Sequence, residues 1–342
     1  MTRFRGPDRP YAFLYDGDAM LCAPALFAEQ ADREFAGDRV VPATAQDATT
    51  PAARAAALLP DGVTVAVPAV VASEHVAGFE AAGLRVETVA TDALDAARRR
   101  KRSPETERHR VVQAAAQAGM RRAEAVLAAA TPEGGTLRWD GERLTTERLR
   151  RAVNATLAGQ GVTDAANTVV GAGPSCADLH FVGTEPVRPG ETVLLDSSPR
   201  GPAGYYGDFT RTFVVGDPGA WEREVYAAVD DALAAALDVL DGGAGTEGAA
   251  VRRAVDDALA DHGFGTGRAG PRMTHGPGHG VGLALHEAPG YDGPLRAGDV
   301  ATIEPGLYDP DRGGVRLEEV VMVRSDGCER LGAYPRSIEP RP

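Results

Sequence analysis

The feature that most narrows the fold is a ten-residue segment that occurs twice. Val187-Arg188-Pro189-Gly190-Glu191-Thr192-Val193-Leu194-Leu195-Asp196 aligns with Leu295-Arg296-Ala297-Gly298-Asp299-Val300-Ala301-Thr302-Ile303-Glu304. Each is an Arg-x-Gly-acid turn feeding an apolar strand that ends on a carboxylate. The turn alone is common chemistry, because glycine supplies the backbone freedom and the acid bonds to nearby main chain. The match extends beyond the turn. His180 precedes the first copy and His286 the second, and each half has another acid on a later strand, Asp208 and Glu318. The order His180, Asp196, Asp208 and then His286, Glu304, Glu318 predicts two divergent copies of one αβ unit. Their acids would face each other across a pseudo-twofold axis. His279 has no counterpart in the first copy.

Local patterns place this repeat in a longer α/β chain. Ala12–Tyr15 and Ala19–Ala23 flank Asp16-Gly17-Asp18, a hairpin signal. Val63–Val67 and Leu84–Val89 read as strands, and Ser73–Ala82 and Asp92–Arg100 as helices. Ser103-Pro104-Glu105 opens a long helix to about Ala130, with Ser103 as expected N-cap and Pro104 in the first turn. Thr145–Gly159, Trp221–Leu240 and Glu247–His262 are the further helices. Strands are expected at Thr168–Gly171, Thr192–Asp196, Tyr206–Val215, Val300–Glu304 and Val315–Val323. The run Arg98-Arg99-Arg100-Lys101-Arg102 reads as a solvated interdomain linker rather than a nucleic-acid patch.

A length of 342 residues suits two domains, here 1–100 and 103–340. The 49 Asp and Glu against 36 Lys and Arg argue against a nucleic-acid partner, which would need cations to neutralise phosphates. Only one of those cations, Lys101, is a lysine. No long uncharged apolar window suggests a membrane span. The first ten residues carry no apolar run of the kind a secretory signal needs. Cys22, Cys176 and Cys328 are scattered and form no Cys-x-x-Cys, so neither a disulfide framework nor a thiolate zinc site is expected. The expected compartment is a reducing cytoplasm.

Four carboxylates and an imidazole at strand ends suit hard or borderline divalent cations. Two such ions balance four acids, which could not all ionise together without them. Two ions roughly 3.5 Å apart can also acidify a shared water. Neighbouring histidines could move protons or steady an oxyanion. Each residue taken singly has a plainer reading. A strand-end Asp is often a turn residue, His275 and His279 stand among glycines, Glu304 precedes Pro305-Gly306, and Glu319 beside Glu318 reads as solvated.

The motifs that carry these residues resemble a known family. Asp196 with Gly207-Asp208-Phe209-Thr210-Arg211-Thr212 resembles the first-half signature of the M24 metallopeptidases, the pita-bread fold. His275-Gly276-Pro277-Gly278-His279-Gly280-Val281-Gly282, followed by His286-Glu287-Ala288-Pro289, resembles their histidine motif. Thr302-Ile303-Glu304-Pro305-Gly306-Leu307-Tyr308 and Gly314-Val315-Arg316-Leu317-Glu318 resemble their two glutamate motifs. The resemblance implies a creatinase-like α/β lobe followed by a pita-bread domain, and metal ligation by Asp196, Asp208, His279, Glu304 and Glu318. Asp208 and Glu318 would bridge two ions, manganese first, with cobalt or zinc as alternatives. Glu304 would also transfer a proton, and His180 and His286 would contact substrate. His275, four residues before His279, and Arg316, two before Glu318, mark the proline-recognising branch of Xaa-Pro aminopeptidases and prolidases.

The implied reaction is hydrolysis of an Xaa-Pro bond, in dipeptides or at a peptide N-terminus, by attack of a metal-bridging hydroxide, in a homodimer. Two other readings stand beside it. One is a pita-bread binding protein without catalysis, and the other is an enzyme of this site acting on a small non-peptide substrate. Three features depart from the family pattern. Asp196 is followed by Ser197-Ser198 instead of x-Gly, Leu179 replaces the proline before His180, and the first lobe is short. Phe4-Arg5-Gly6-Pro7-Asp8 resembles the end of a segment whose beginning is missing, as expected of a start placed late or a truncated lobe.

Overall fold

The computed structural model describes residues 11–43, 50–90, 92–265 and 270–341. The segment Phe4–Asp8 therefore lies outside the described residues. The chain forms two compact units, residues 1–93 and 94–342.

In the first unit, β1 (Ala12–Tyr15) and β2 (Ala19–Pro24) form the expected antiparallel hairpin, closing with Tyr15 opposite Ala19. Gly17 takes φ 115° in its turn, a value that favours glycine. After α1 (Ala28–Glu34), β3 (Arg39–Ala43) adds parallel to β2. The helix α2 (Pro51–Ala56) precedes β4 (Thr64–Pro68); α3 (Ser73–Ala81) then carries the chain to β5 (Arg85–Val89), parallel to β4. Ala52, Ala55, Val65, Val67, Phe79 and Leu84 form a small core there.

The helix α4 (Asp92–Arg99) leads to α5 (Ser103–Ala128). The cap of α5 is one residue earlier than expected. Arg102 is the extended N-cap residue, and Ser103 is already helical. The cause is Glu105, whose carboxylate accepts the Arg102 N–H at 3.0 Å and so takes over the capping. An antiparallel meander follows, β6 (Thr131–Glu133), β7 (Thr136–Trp139) and β8 (Glu142–Arg143), too short for sequence patterns to reveal. Then comes α6 (Thr146–Gly159), capped by the Thr145 hydroxyl, which accepts the Arg148 N–H at 3.3 Å. The strands β9 (Thr168–Ala172), β10 (Thr192–Ser197) and β11 (Phe209–Val214) make an antiparallel sheet with β10 central.

The second half repeats this plan. The helices α7 (Ala220–Leu240) and α8 (Gly248–Asp261) precede β12 (Val300–Ile303), β13 (Gly306–Asp309), β14 (Gly313–Arg316), β15 (Glu319–Val323) and β16 (Cys328–Arg330). β15 is central between β12 and β16, while β13 and β14 form a separate hairpin. The α5–α6 pair shares a core with the first sheet through Met120, Leu127, Leu149, Val193, Leu195 and Phe213. The α7–α8 pair shares another with the second through Val229, Leu233, Val255, Ile303, Leu317 and Val321. Each fully buried side chain of this size contributes roughly 1.5–3 kcal/mol.

Three further local expectations change. Val315–Val323 is not one strand. It breaks at Leu317-Glu318, where the chain leaves the β13–β14 hairpin for the β12–β15–β16 sheet, and the Glu318 N–H donates to the Thr210 carbonyl at 3.2 Å. Glu319 is not solvated; it is 3% exposed and pairs with Arg211 at 2.7 Å. The Arg98–Arg102 run is solvated only in part, at Arg100 and Arg102. Arg99 grips Asp299 through two bonds of 2.8 and 2.6 Å, and Arg98 and Lys101 both reach Glu287.

Candidate active site

The two halves deliver their acids from matching places. Asp196 lies in β10, opposite Thr210, and Asp208 sits one residue before β11. Glu304 follows the end of β12, and Glu318 sits one residue before β15. Thr210 joins the halves, because its hydroxyl donates to Glu318 Oε2 at 2.8 Å while its carbonyl accepts the Glu318 N–H.

Asp196, Asp208 and Glu318 each bring a carboxylate oxygen within 4.8 Å of the others, and they form the one such group of potential metal-holding side chains among the described residues. His279 joins them, with Nε2 3.5 Å from Asp208 Oδ2 and 3.4 Å from Glu304 Oε1. Ligands bonded to one ion at about 2.1 Å sit roughly 3.0–3.4 Å apart along the edges of its coordination shell, close to these separations. Buried oxygens Asp196 Oδ1 and Glu318 Oε1 have no hydrogen-bond partner. Such orphans are rare and costly in a folded interior. Burial, then the neighbouring acids, push Asp208 and Glu318 well above the usual carboxylate range. Burial also raises Asp196, against the pull of Arg316. The donor set, its orphaned oxygens and its mutual repulsion all fit a divalent cation held among these residues.

Surrounding groups hold the acids in place. Ser198 Oγ donates to Asp208 Oδ1 at 2.9 Å. The Gln113 side chain reaches from α5, donating to the Asp208 carbonyl at 2.7 Å and accepting its N–H at 3.0 Å. Thr302 Oγ1 donates to Glu304 Oε1 at 3.1 Å and accepts the His279 N–H at 2.9 Å. Gly278 is required beside Thr302, since a Cβ there would lie 2.1 Å from the Thr302 carbonyl oxygen. Nothing local in the sequence marked Gln113, because its target is 95 residues away.

Arg316 is buried beside the acids. It donates to Asp196 Oδ2 at 2.6 Å, to Thr210 Oγ1 at 3.2 Å and to the Tyr308 hydroxyl at 3.2 Å. The Tyr308 hydroxyl is in turn 2.8 Å from His275 Nε2, and His275 Nδ1 is 2.8 Å from the Gly276 carbonyl. The carbonyl can only accept, so Nδ1 carries the proton and Nε2 accepts from Tyr308. Burial lowers His275 and pushes Tyr308 up to about 12, which keeps both neutral. Tyr308 completes this row and had no role assigned from the sequence; its signal was a position in the glutamate motif, four residues past Glu304. The His286 ring packs against His279 with centroids 4.1 Å apart, and burial, followed by this neighbouring imidazole, lowers its pKa. His180 lies on an exposed turn, where no described residue bonds to its ring, yet it is near enough to His286 to add to the lowering of that pKa.

The family model described as metallopeptidase family M24 matches residues 107–325. A protein named "Probable dipeptidase PepE" from Mycobacterium tuberculosis is 33% identical over 184 residues, 52% of this chain and 47% of that protein. An Xaa-Pro dipeptidase from Pyrococcus furiosus is 34% identical over 178 residues, 50% of this chain and 49% of its own length. The chain thus spans about half the length of the curated relatives it matches. Among solved structures, a prolidase from Pyrococcus furiosus superposes with a TM-score of 0.81 at 25% identity, covering 95% of this chain and 90% of that one. The mixed α/β architecture is that of these pita-bread structures.

Proposed function

This chain belongs to metallopeptidase family M24, and from that membership we propose that it is a metal-dependent peptidase cleaving the bond between a residue and a following proline. Substrates would be Xaa-Pro dipeptides or peptides with proline in second place. The observation that carries the reading is the group of half-buried Asp196 with buried Asp208 and Glu318, and its two partnerless oxygens. Asp196, Asp208, His279, Glu304 and Glu318 would hold two divalent cations, manganese first, with Asp208 and Glu318 shared between them. Bound there, such ions supply a water acidified to near-neutral pKa and polarisation of the scissile carbonyl.

The protein's own groups have separate tasks in this reading. Glu304 accepts and returns a proton. His286, with its lowered pKa, is a neutral imidazole beside the cluster that can donate a hydrogen bond to a developing oxyanion. His180 would approach substrate from the exposed side. Arg316, Tyr308 and His275 form a wall of fixed donors and rings suited to a prolyl residue and its carboxyl side. Arg316 also changes the charge balance. Four acids against one guanidinium leave a deficit of three, which two divalent cations overshoot by one positive charge.

We further read residues 1–100 as a creatinase-like lobe, residues 103–340 as the catalytic domain, the assembly as a homodimer and its place as the cytoplasm, with neither nucleic acid nor membrane as partner. No helix of the described residues is long and apolar enough to cross a membrane. The test is a panel of Xaa-Pro dipeptides and longer Xaa-Pro peptides with added manganese or cobalt. Cleavage of Xaa-Pro bonds is expected. Metal binding without cleavage of any member would overturn the reading.

A further inference from the structure

We propose that Lys101, the single lysine of the chain, is a positioning residue that acts through Glu287 to fix the loop bearing His279 and His286. The inference rests on the reading of those histidines as parts of the active site.

The loop from His279 to Glu287 is built around the Glu287 side chain. The Glu287 N–H donates to the Gly280 carbonyl at 2.8 Å, and Gly280 also bridges to Ala301 in β12. Glu287 Oε2 accepts the Ala284 N–H at 3.0 Å. A Cβ on Gly282 would lie 2.0 Å from Glu287 Oε1, and one on Gly280 would lie 2.4 Å from the Glu287 carbonyl oxygen. Gly282 therefore makes room for this carboxylate and Gly280 for the main chain that carries it. Its position fixes the backbone of His286, the residue before it.

A carboxylate with a 7% exposed side chain needs a cationic partner. It has two. Arg98 donates to Oε2 at 2.6 Å, and Lys101 Nζ lies 3.0 Å from Oε1 with its own side chain 2% exposed. Burial opposes the charge of Glu287, but Lys101, the Ala284 N–H and Arg98 outweigh it and hold the acid below the usual carboxylate range. The Lys101 N–H also donates to the Gly298 carbonyl at 3.0 Å. Gly298 belongs to the turn that opens β12, the strand ahead of Glu304. One residue thus ties the histidine loop to the strand that leads to the acid. With Arg98 already on Oε2, the remaining space suits a slender ammonium rather than a planar guanidinium. A chain that otherwise uses arginine throughout has its lysine at this point.

The test compares Lys101→Met, Lys101→Arg, Glu287→Gln and the Met/Gln double variant. Backbone hydrogen exchange over residues 280–287 is read in the metal-free proteins, and kcat and KM on an Xaa-Pro dipeptide in the metal-loaded ones. Lys101→Met is expected to speed exchange in that loop about tenfold. It should lower kcat about tenfold, with KM within about twofold, because the catalytic geometry loosens while the binding groups stay. Lys101→Arg should not restore either, and Lys101→Met should add little on top of Glu287→Gln. A Lys101→Met chain that fails to fold while the double variant folds supports the same coupling. Unchanged exchange and kcat, additive effects in the double variant, or failure of both to fold would overturn it. If the wild type cleaves no Xaa-Pro peptide, the proposed function fails, while the exchange measurements still decide the coupling.

Discussion

Arg211 offers the sharpest test of how the two copies are joined. It is the largest fully buried side chain among the described residues, with none of its surface exposed. Its guanidinium donates to the carbonyls of Thr210 at 3.0 Å and Glu318 at 2.6 Å, to Glu319 Oε1 at 2.7 Å, and to the carbonyls of Tyr334 at 3.3 Å and Pro335 at 3.4 Å. It also lies over the Phe209 ring, 4.3 Å from its centroid. Arg211→Met keeps the stacking volume but strands the Glu319 charge and several carbonyls. Removing one partner of a buried pair costs about 3–5 kcal/mol. For a unit of this size that is a fall in Tm of about 6–20 °C, at roughly 2–4 °C per kcal/mol. Both tryptophans, Trp139 and Trp221, lie in residues 94–342, so fluorescence-monitored urea unfolding reports on the right unit. Arg211→Met/Glu319→Met removes the stranded charge and should recover about half of the loss, the rest being carbonyls left without donors. A double variant no more stable than the single would refute the claim that the buried charge is the source. A single variant within about 1 kcal/mol of wild type would refute the claim that Arg211 joins the halves.

Two further outcomes follow from other buried groups. Asp208→Ala and Glu318→Ala should each abolish peptide hydrolysis and divalent-cation binding together, measured by turnover and calorimetric titration with manganese; turnover retained in either would remove that residue from the ligand set. His109 is buried against Tyr205, and burial lowers its pKa to about 4. The unfolded chain takes up this proton near pH 6.5, so the neutral ring's contribution is complete above that pH and is lost as the pH falls toward 4, about 3 kcal/mol in all. His109→Phe should show a shallower loss of unfolding free energy between pH 7 and pH 4.5 than wild type, and parallel curves would reject the assignment.

What could be read from the sequence was what repeats or alternates over a short distance. The doubled Arg-x-Gly-acid turn located β10 and β12, because a turn followed by an apolar run is encoded within ten residues. The hairpin at Asp16-Gly17-Asp18 was legible for the same reason. Interactions that span the copies were not. Glu318 and Glu319 are adjacent acids with the same local composition, and only the break between β14 and β15 sends one toward Asp208 and the other to Arg211. The same holds for Arg98, Arg99 and Lys101. Five consecutive cations look solvated when no partner is in view, yet Glu287 and Asp299 lie about 190 to 200 positions further along the chain and take three of them. A charge run has no period from which burial can be inferred, so its environment is decided by where the opposite charges fold. Here those charges sit in the histidine loop and in the second copy's turn, which sets an apparent linker against the loop that carries the candidate site's histidines.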